Sequence, residues 1–314
     1  MQTQIATVAD LFDSWLSHIR RLGRSPLTLS SYRYKIDAVL RPRLGEIPLE
    51  DLSVLSIDQF YGELLDEGMS PATVNHHHRI LRAALGQATR WGLLAVNPAR
   101  LATPPTSRPS GISPPSRAQV GQLIEAAERG PTPLLGSVIY IASTTGMRRG
   151  ELAGLRWEDF DDERATIEVI RSIWQVSAQW GVKDPKSHQR RRITVGPRTA
   201  EVFEVLRRRS GHRADPESYV FSLTGGRVPW LPEAITRSFS RVIRSLEAST
   251  GEPWPFRFHD LRHFTATELF RTGHSPRTVA NRLGHADVAV TLRTYTHDTD
   301  DQARQAAESI EVDF

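Results

Sequence analysis

The sequence predicts a mainly helical α+β protein built from two domains. Residues 7–93 place apolar side chains at helical spacing and show no strand pattern. Residues 97–116 hold six prolines together with Ser and Gly, a composition typical of a semi-rigid linker. Beyond the linker, helical stretches surround two segments with strand character. We therefore expect a four-helix domain at 1–100, a Pro-rich linker at 101–116, and a mixed domain with a small antiparallel sheet at 117–314.

Start and stop signals divide the first domain into four short helices. A capping box predicts the start of the first helix, because its side chains accept from backbone N–H groups of the first turn. A proline predicts the start of the fourth, because it has no N–H to leave unpaired there. The predicted boundaries are a start at Thr7 with Asp10, a helix from about Leu29 to Leu40 that stops near Pro42, a start at Ser56 with Gln59, and a start at Pro71. Four helices with one apolar face each favour a small bundle.

The fourth helix contains the run "NHHHRILR", with His76, His77 and His78 adjacent to one another. Adjacent side chains on a helix point about 100° apart, so the three imidazoles cannot converge on one metal ion. We interpret the run as a polar helix face near an anion, and a simple solvated face stays open as the alternative.

In the second domain, "ATIEVIRSIWQV" and "RRRITV" predict two strands joined by a long hairpin, "SAQWGVKDPKSHQ". Ser116 and Gln119 predict a capped helix start. Further helices are predicted near 133–144, 198–208, 232–247, 260–272, 276–283 and 287–294.

Composition excludes several classes of function. The chain has no Cys, so disulfides, thiolate zinc sites and Cys nucleophiles are excluded. No run of about 18 apolar residues could span a membrane, and the N-terminus lacks the pattern of a signal peptide. We expect a cytoplasmic protein with no membrane partner.

The charge distribution suggests a polyanionic partner. The net charge is +4, but the segment 298–314 carries six acids and one Arg, so residues 1–297 carry +9. A basic body is typical of nucleic-acid binding, with a solvated basic surface as an equally weighted alternative. Of the 40 basic residues only three are Lys, and two of these, Lys183 and Lys186, lie in the predicted hairpin.

Four segments carry side chains suited to phosphate chemistry. They are "TTGMRRGELAGLRW" with Arg148 and Glu151, "KDPKSHQRRRITV" with Lys186, "FHDLRHF" with His259 and Arg262, and "LGHADVAVTLRTYTH" with His285 and Tyr295. Arg can hold phosphate oxygens in a bidentate way, His can carry protons near neutral pH, Tyr can attack and Lys can act as an acid. No carboxylate cluster offers itself as a divalent-metal site, so the set favours phosphoryl transfer without a metal.

The four segments, in this order behind a helical domain and a linker, resemble the tyrosine recombinase (phage integrase) family over roughly residues 5–297. The resemblance implies a helical core-binding domain at 1–100 and a catalytic domain at 117–314. It also implies a role for each of seven residues. Arg148 and Arg262 would hold the scissile phosphate, Glu151 would orient Arg148, His259 and His285 would bind the phosphate and manage protons, Lys186 would protonate the leaving 5′-oxygen, and Tyr295 would attack to give a 3′-phosphotyrosyl link.

The resemblance further implies a site-specific recombinase that needs neither metal, ATP nor cofactor. Its partners would be double-stranded DNA and accessory DNA-bending or directionality proteins. The chain would act as a homotetramer on paired sites. The alternatives are a type IB topoisomerase-like enzyme, which would relax DNA as a monomer, and a catalytically silent DNA-binding regulator.

Several residues keep a second interpretation. Lys183 could be the hairpin lysine instead of Lys186. Taken alone, Arg148 could be a helix-cap cation, Glu151 an ordinary surface partner, and His285 a histidine at a helix terminus. Tyr219, in "SYVFS", could compete as the nucleophile but is predicted to be strand core. Tyr295 is the tyrosine that follows His285 within a short helical segment. By resemblance, the acidic C-terminal segment could dock on a neighbouring protomer.

Overall fold

The structure is a computed structural model that describes residues 5–106, 113–185, 190–211, 214–285 and 287–289. It divides into two compact units, residues 1–111 and 112–314, and the division falls within the Pro-rich stretch. The predicted fold class, mainly helical with small antiparallel sheets, is confirmed. The functional assignment of the two domains stays a prediction.

The N-terminal unit is a set of helices around one apolar core. The helices are α1 (Val8–Arg21), α2 (Pro26–Lys35), α3 (Arg41–Leu44), α4 (Val54–Asp66) and α5 (Pro71–Arg90). Thr7 and Asp10 form the predicted capping box, and Ser70 caps α5 ahead of Pro71. Large side chains that include Phe12, Leu40, Phe60 and Leu81 fill the core.

Three predicted boundaries in this unit are wrong. The second helix begins at Pro26, and the chain remains helical past Pro42 through a π-helical turn at Ile36–Leu40 and α3. Pro42 directly follows the π-helical turn, in which the Arg41 N–H donates to the Ile36 carbonyl oxygen. The third predicted helix corresponds to α4 and begins after Ser53. The Ser53 hydroxyl accepts from the Ser56 N–H, and the Ser56 hydroxyl accepts from the Ser53 N–H.

The histidine run is not a simple solvated face, because two of its three members are buried, and an anion near it stays a prediction. His77 and His78 are buried in the N-terminal unit. His78 Nδ1 lies 2.7 Å from the Tyr61 hydroxyl. Within the described residues, His77 Nδ1 has no hydrogen-bond partner. The apolar face of α5 is therefore wider than its sequence suggests, and two histidines belong to it.

The C-terminal unit surrounds a larger apolar core with helices and two small sheets. Its helices are α6 (Arg117–Arg129), α7 (Leu134–Thr145), α8 (Arg149–Ala153), α9 (Pro197–Ser210), α10 (Pro232–Thr250), α11 (Asp260–Arg271) and α12 (Pro276–Leu283). Ser116 and Gln119 form the predicted capping box of α6. The predicted helix at 287–294 extends beyond the described residues.

The strands pair in a nested arrangement that differs from the predicted single hairpin. They are β1 (Phe160–Asp161), β2 (Thr166–Val169), β3 (Ser172–Val176), β4 (Gln179–Lys183) and β5 (Arg191–Thr194). β5 pairs with β2, and β2 pairs with β1, in one antiparallel sheet. β3 pairs with β4 in a second sheet, so the segment predicted as a loop contributes a strand of its own.

Tyr219 is buried as predicted, but it lies in an isolated bridge with Arg156 rather than in a strand. The Arg156 guanidinium also lies over its ring, 5.2 Å from the ring centroid.

Among the described residues, no helix is both long enough and apolar enough to cross a bilayer.

Candidate active site

Arg148 lies where α7 turns into α8, and its position follows from local sequence. Gly146 ends α7 in the left-handed conformation, with φ +67°. Arg148 is the N-cap of α8, and its backbone N–H donates to Glu151 Oε2 across 2.9 Å. Its guanidinium donates to Glu151 Oε1 across 2.9 Å and to the Gly284 carbonyl oxygen across 3.0 Å. The side chain is thus fixed from two sides.

Glu151 is only 1 % exposed and lies between two guanidinium groups. Arg191 of β5 donates Nη1 to Oε1 across 3.1 Å and Nη2 to Oε2 across 2.6 Å. Burial alone would raise the pKa of this carboxyl, but the bonds and charges of Arg191 and Arg148 outweigh it and lower the pKa. Glu151 is therefore an anion between two cations.

Arg262 lies in the first turn of α11 and is 3 % exposed. Its Nη1 donates to the carbonyl oxygen of Gly146 across 2.7 Å. Helix α11 is held against α7 by the Thr265 hydroxyl, which donates to the Ser143 carbonyl oxygen across 2.8 Å. The chain thereby brings Arg148 of "GMRRGE" and Arg262 of "HDLRH" to the same turn.

His259 precedes α11 and contacts His263 one turn later, with ring centroids 5.2 Å apart. His259 is exposed to solvent, yet the protein atoms packed around its ring, with His263 and Arg262 beside it, lower its pKa to about 4. The lowering favours a neutral imidazole at neutral pH.

His285 follows α12 and is half-buried. Desolvation, followed by the charges of Arg262, Arg148 and Arg191, lowers its pKa to about 4. Its neighbour Gly284 accepts a hydrogen bond from Arg148 Nη2 across 3.0 Å, so His285 directly follows a residue that Arg148 binds. Five of the seven predicted site residues are therefore brought together.

The other two, Lys186 and Tyr295, lie outside the described residues. Lys183, the alternative lysine, is the last residue of β4, opposite Ser172 of β3. The choice between Lys183 and Lys186 therefore stays a prediction.

Sequence reasoning missed Arg191, although a signal was present. In "RRRITV" the alternation of a strand places Arg191 on the same face as Ile193, which is buried, and Arg192 on the opposite face. A cation on the inward face of a strand needs a buried anion as partner. Glu151 is that anion.

The family model for the phage integrase family matches residues 116–302, more than half of the chain. The chain belongs to the phage integrase family. As a member of this family, it is a tyrosine-type site-specific recombinase, and that prediction is confirmed. The topoisomerase-like and silent-regulator alternatives gain no support.

Named relatives share this assignment. The integrase-family chain is 25 % identical over 333 residues to a tyrosine recombinase XerC-like protein of Caldanaerobacter subterraneus subsp. tengcongensis, covering 98 % of this chain and 83 % of the relative. It is 24 % identical over 295 residues to the integrase of Mycobacterium phage D29, covering 91 % and 74 %.

Solved structures share the fold of this integrase-family chain. The Tn1549 transposon integrase in complex with a circular intermediate DNA superposes with a TM-score of 0.84 at 22 % identity, covering 98 % of this chain and 100 % of that one. A lambda integrase tetramer bound to a Holliday junction gives 0.71 at 22 % identity, covering 94 % and 80 %. At these identities the likeness establishes the fold.

Proposed function

We propose that this chain cleaves and rejoins double-stranded DNA through the cluster of Arg148, Arg262, His259 and His285. The observation that carries the proposal is the convergence of two arginines and two neutral histidines around one turn of the C-terminal unit. The two guanidinium groups would hold the non-bridging oxygens of one phosphate. Fixed cations can stabilise the charge that develops during phosphoryl transfer, which is the role a metal ion has in other enzymes.

The proposed reaction has two mirrored steps. The Tyr295 oxygen attacks the phosphorus, the bond from phosphorus to the 5′-oxygen breaks, and a 3′-phosphotyrosyl link forms. Lys186 gives a proton to the leaving 5′-oxygen, and a neutral His259 or His285 takes up the tyrosine proton. A 5′-hydroxyl from another strand then attacks the link and releases the tyrosine. The number of phosphoester bonds is unchanged, so no ATP is required.

The N-terminal unit offers a second surface for the DNA backbone. A groove along α1 and α5 is lined by five arginines and a histidine: Arg24, Arg79, Arg82, Arg90, Arg100 and His18. No carboxylate is among the described residues that line it. A carboxylate-free arginine groove favours phosphate contacts, which position a protein on a duplex without reading its sequence. This supports the assignment of residues 1–100 as a core-binding domain.

We further propose assembly as a homotetramer on paired sites, with accessory DNA-bending or directionality proteins. The solved lambda integrase complex on a Holliday junction is a tetramer, and a four-way junction offers four equivalent strands to four protomers.

The deciding experiment is covalent capture. The wild-type chain is mixed with a pool of randomised duplex DNA, denatured, and the DNA that stays attached is sequenced. We expect a protease-sensitive adduct on an enriched sequence. Tyr295→Phe should bind the same DNA, because the ring remains, but should form no adduct. An adduct from Tyr295→Phe would refute the proposed nucleophile, and no adduct from the wild-type chain would refute the reaction.

A further inference from the structure

Arg191 connects three separate elements of the C-terminal unit. It stands in β5 opposite Val169 of β2, and its side chain is 7 % exposed. Two of its nitrogens bind the two oxygens of Glu151, which belongs to α8. The third, Nε, donates to the carbonyl oxygen of Arg282 near the end of α12, across 3.0 Å. All three nitrogens of one guanidinium are therefore engaged.

These contacts close a ring. Arg191 binds Glu151, Glu151 binds Arg148, and Arg148 binds the carbonyl oxygen of Gly284. Gly284 is two residues after Arg282, whose carbonyl oxygen accepts from Arg191. The turn between α12 and His285 is thus held by one arginine on each side.

The ring is tightly packed at Gly284. This residue is left-handed, with φ +70°, and a Cβ placed there would lie 2.8 Å from Arg191 Nη1. The close approach leaves Arg191 little freedom to shift along the turn.

We infer that Arg191 is a positioning residue for cleavage, which acts through Glu151 on Arg148 and sets the turn that carries His285. The inference rests on the proposed function and adds to it a residue whose three guanidinium nitrogens all bind protein atoms. If Arg191 moves, Arg148 loses the fixed anion that orients it, and the phosphate clamp loosens. Misplacement of a binding group by about 1 Å can cost on the order of 100-fold in rate.

Arg191→Lys is the direct test, because Lys keeps the charge but has a single nitrogen. It cannot bind both Glu151 oxygens in parallel and the Arg282 carbonyl as well. The matched control is Arg192→Lys in the same strand, since Arg192 points outward and pairs with the exposed Glu168. The probe is the duplex that the wild-type chain captures covalently, and the readouts are DNA affinity, melting temperature and the first-order rate of adduct formation.

We expect Arg191→Lys to bind DNA normally and to form adduct about 10- to 100-fold more slowly. Arg192→Lys should stay within about twofold of wild type, because exposed ion pairs contribute little. In an Arg148→Lys background, Arg191→Lys should cost clearly less than it does in the wild-type chain, because the part of its effect that passes through Arg148 is already lost and only the part that passes through the Arg282 carbonyl oxygen remains. Losses that multiply would overturn the inference, as would a wild-type rate in Arg191→Lys.

A second variant covers the case in which Arg191→Lys does not fold. Glu151→Gln with Arg191→Gln removes the buried pair as a unit and leaves the net charge of the Arg148, Glu151 and Arg191 cluster unchanged, although Arg148 then loses its carboxylate partner. Adduct formation at the wild-type rate by this double variant would overturn the inference, and a folded variant with slow cleavage supports it. Failure of the proposed function is separate, because it would already appear as a wild-type chain without adduct.

Discussion

The Arg262 guanidinium donates through Nη1 to the carbonyl oxygen of Gly146 across 2.7 Å, so the turn that ends α7 also fixes the second arginine of the candidate clamp. Glycine is one of the few residue types that this turn can accept at position 146. A Cβ there would lie 2.4 Å from Leu283 Cδ2 of α12, and its φ of +67° disfavours other residues. A glycine, a buried arginine and the end of α12 thus depend on one another.

Gly146→Ala should destabilise the chain by about 2–4 kcal/mol, from left-handed backbone strain and overpacking together. Gly251→Ala is the matched control, because Gly251 ends α10 with φ +70° and has open space around its Cβ position. It should cost about 1–2 kcal/mol from strain alone. Denaturant unfolding of the two variants measures the difference, and equal losses would show that Leu283 moves aside freely.

The pH dependence of cleavage should lack the inflection of an ordinary histidine. Because the pKa of His259 and of His285 is lowered to about 4, both rings are neutral from pH 8 down to about pH 5. The kcat/KM for adduct formation reports the free enzyme. We therefore expect it not to fall as the pH is lowered from 8 to about 5. A fall in kcat/KM centred near pH 6.5 would contradict the proposed environment of these histidines.

Acid should loosen the N-terminal unit through His77. Desolvation, followed by the charges of Lys35, His76 and Arg43, lowers the pKa of His77 to about 4 from an ordinary 6.5. Its contribution to stability is complete above pH 6.5 and is lost as the pH falls toward 4, because the unfolded chain binds the proton first. The loss is at most about 3 kcal/mol.

Amide hydrogen exchange in α5 between pH 7 and pH 4.5, corrected for intrinsic rates, measures this loss. His77→Gln should flatten the dependence of protection on pH. His274→Gln, at an exposed histidine of the C-terminal unit, should leave it unchanged. If His77→Gln keeps the full wild-type dependence, another group is responsible.

Lys186→Arg should keep the positive charge and DNA affinity but slow cleavage by about 10²- to 10⁴-fold, the range of general acid catalysis. Arg holds its proton too tightly to release it, whereas the pKa of a Lys can be lowered by neighbouring cations. A substrate with sulfur at the bridging 5′ position should rescue the variant, because a thiolate leaves without a proton.

Lys183→Arg is the comparison that tests this choice of lysine. Lys183 ends β4, and its replacement should be far milder. If Lys183→Arg is instead the slow variant that sulfur rescues, Lys183 is the general acid. If sulfur rescues neither variant, the proton comes from another group, and His259 is the first to test.

Local signals in the sequence were sufficient for much of the framework. The caps at Thr7 and Ser116, the start of α5 at Pro71 and the bounds of α12 each depend on residues within one helical turn. Interactions of this kind form wherever the short motif occurs, so they can be predicted without a fold. The order of the four segments with side chains suited to phosphate chemistry likewise indicated the family before any geometry was known.

The sequence by itself therefore determined the fold class and much of the helical framework, and it indicated the five candidate site residues that the described structure brings together. Only the tertiary structure decided that β4 pairs inside the hairpin, that His77 and His78 are buried, and that Arg191 holds Glu151. For Arg191 the physical reason is separation along the chain. Arg191 lies 40 residues from Glu151 and 91 from Arg282, and Arg262 lies 116 from Gly146. A short window of sequence can indicate that Arg191 faces inward, but it cannot name Glu151 as the partner, because such contacts form only when distant elements pack together.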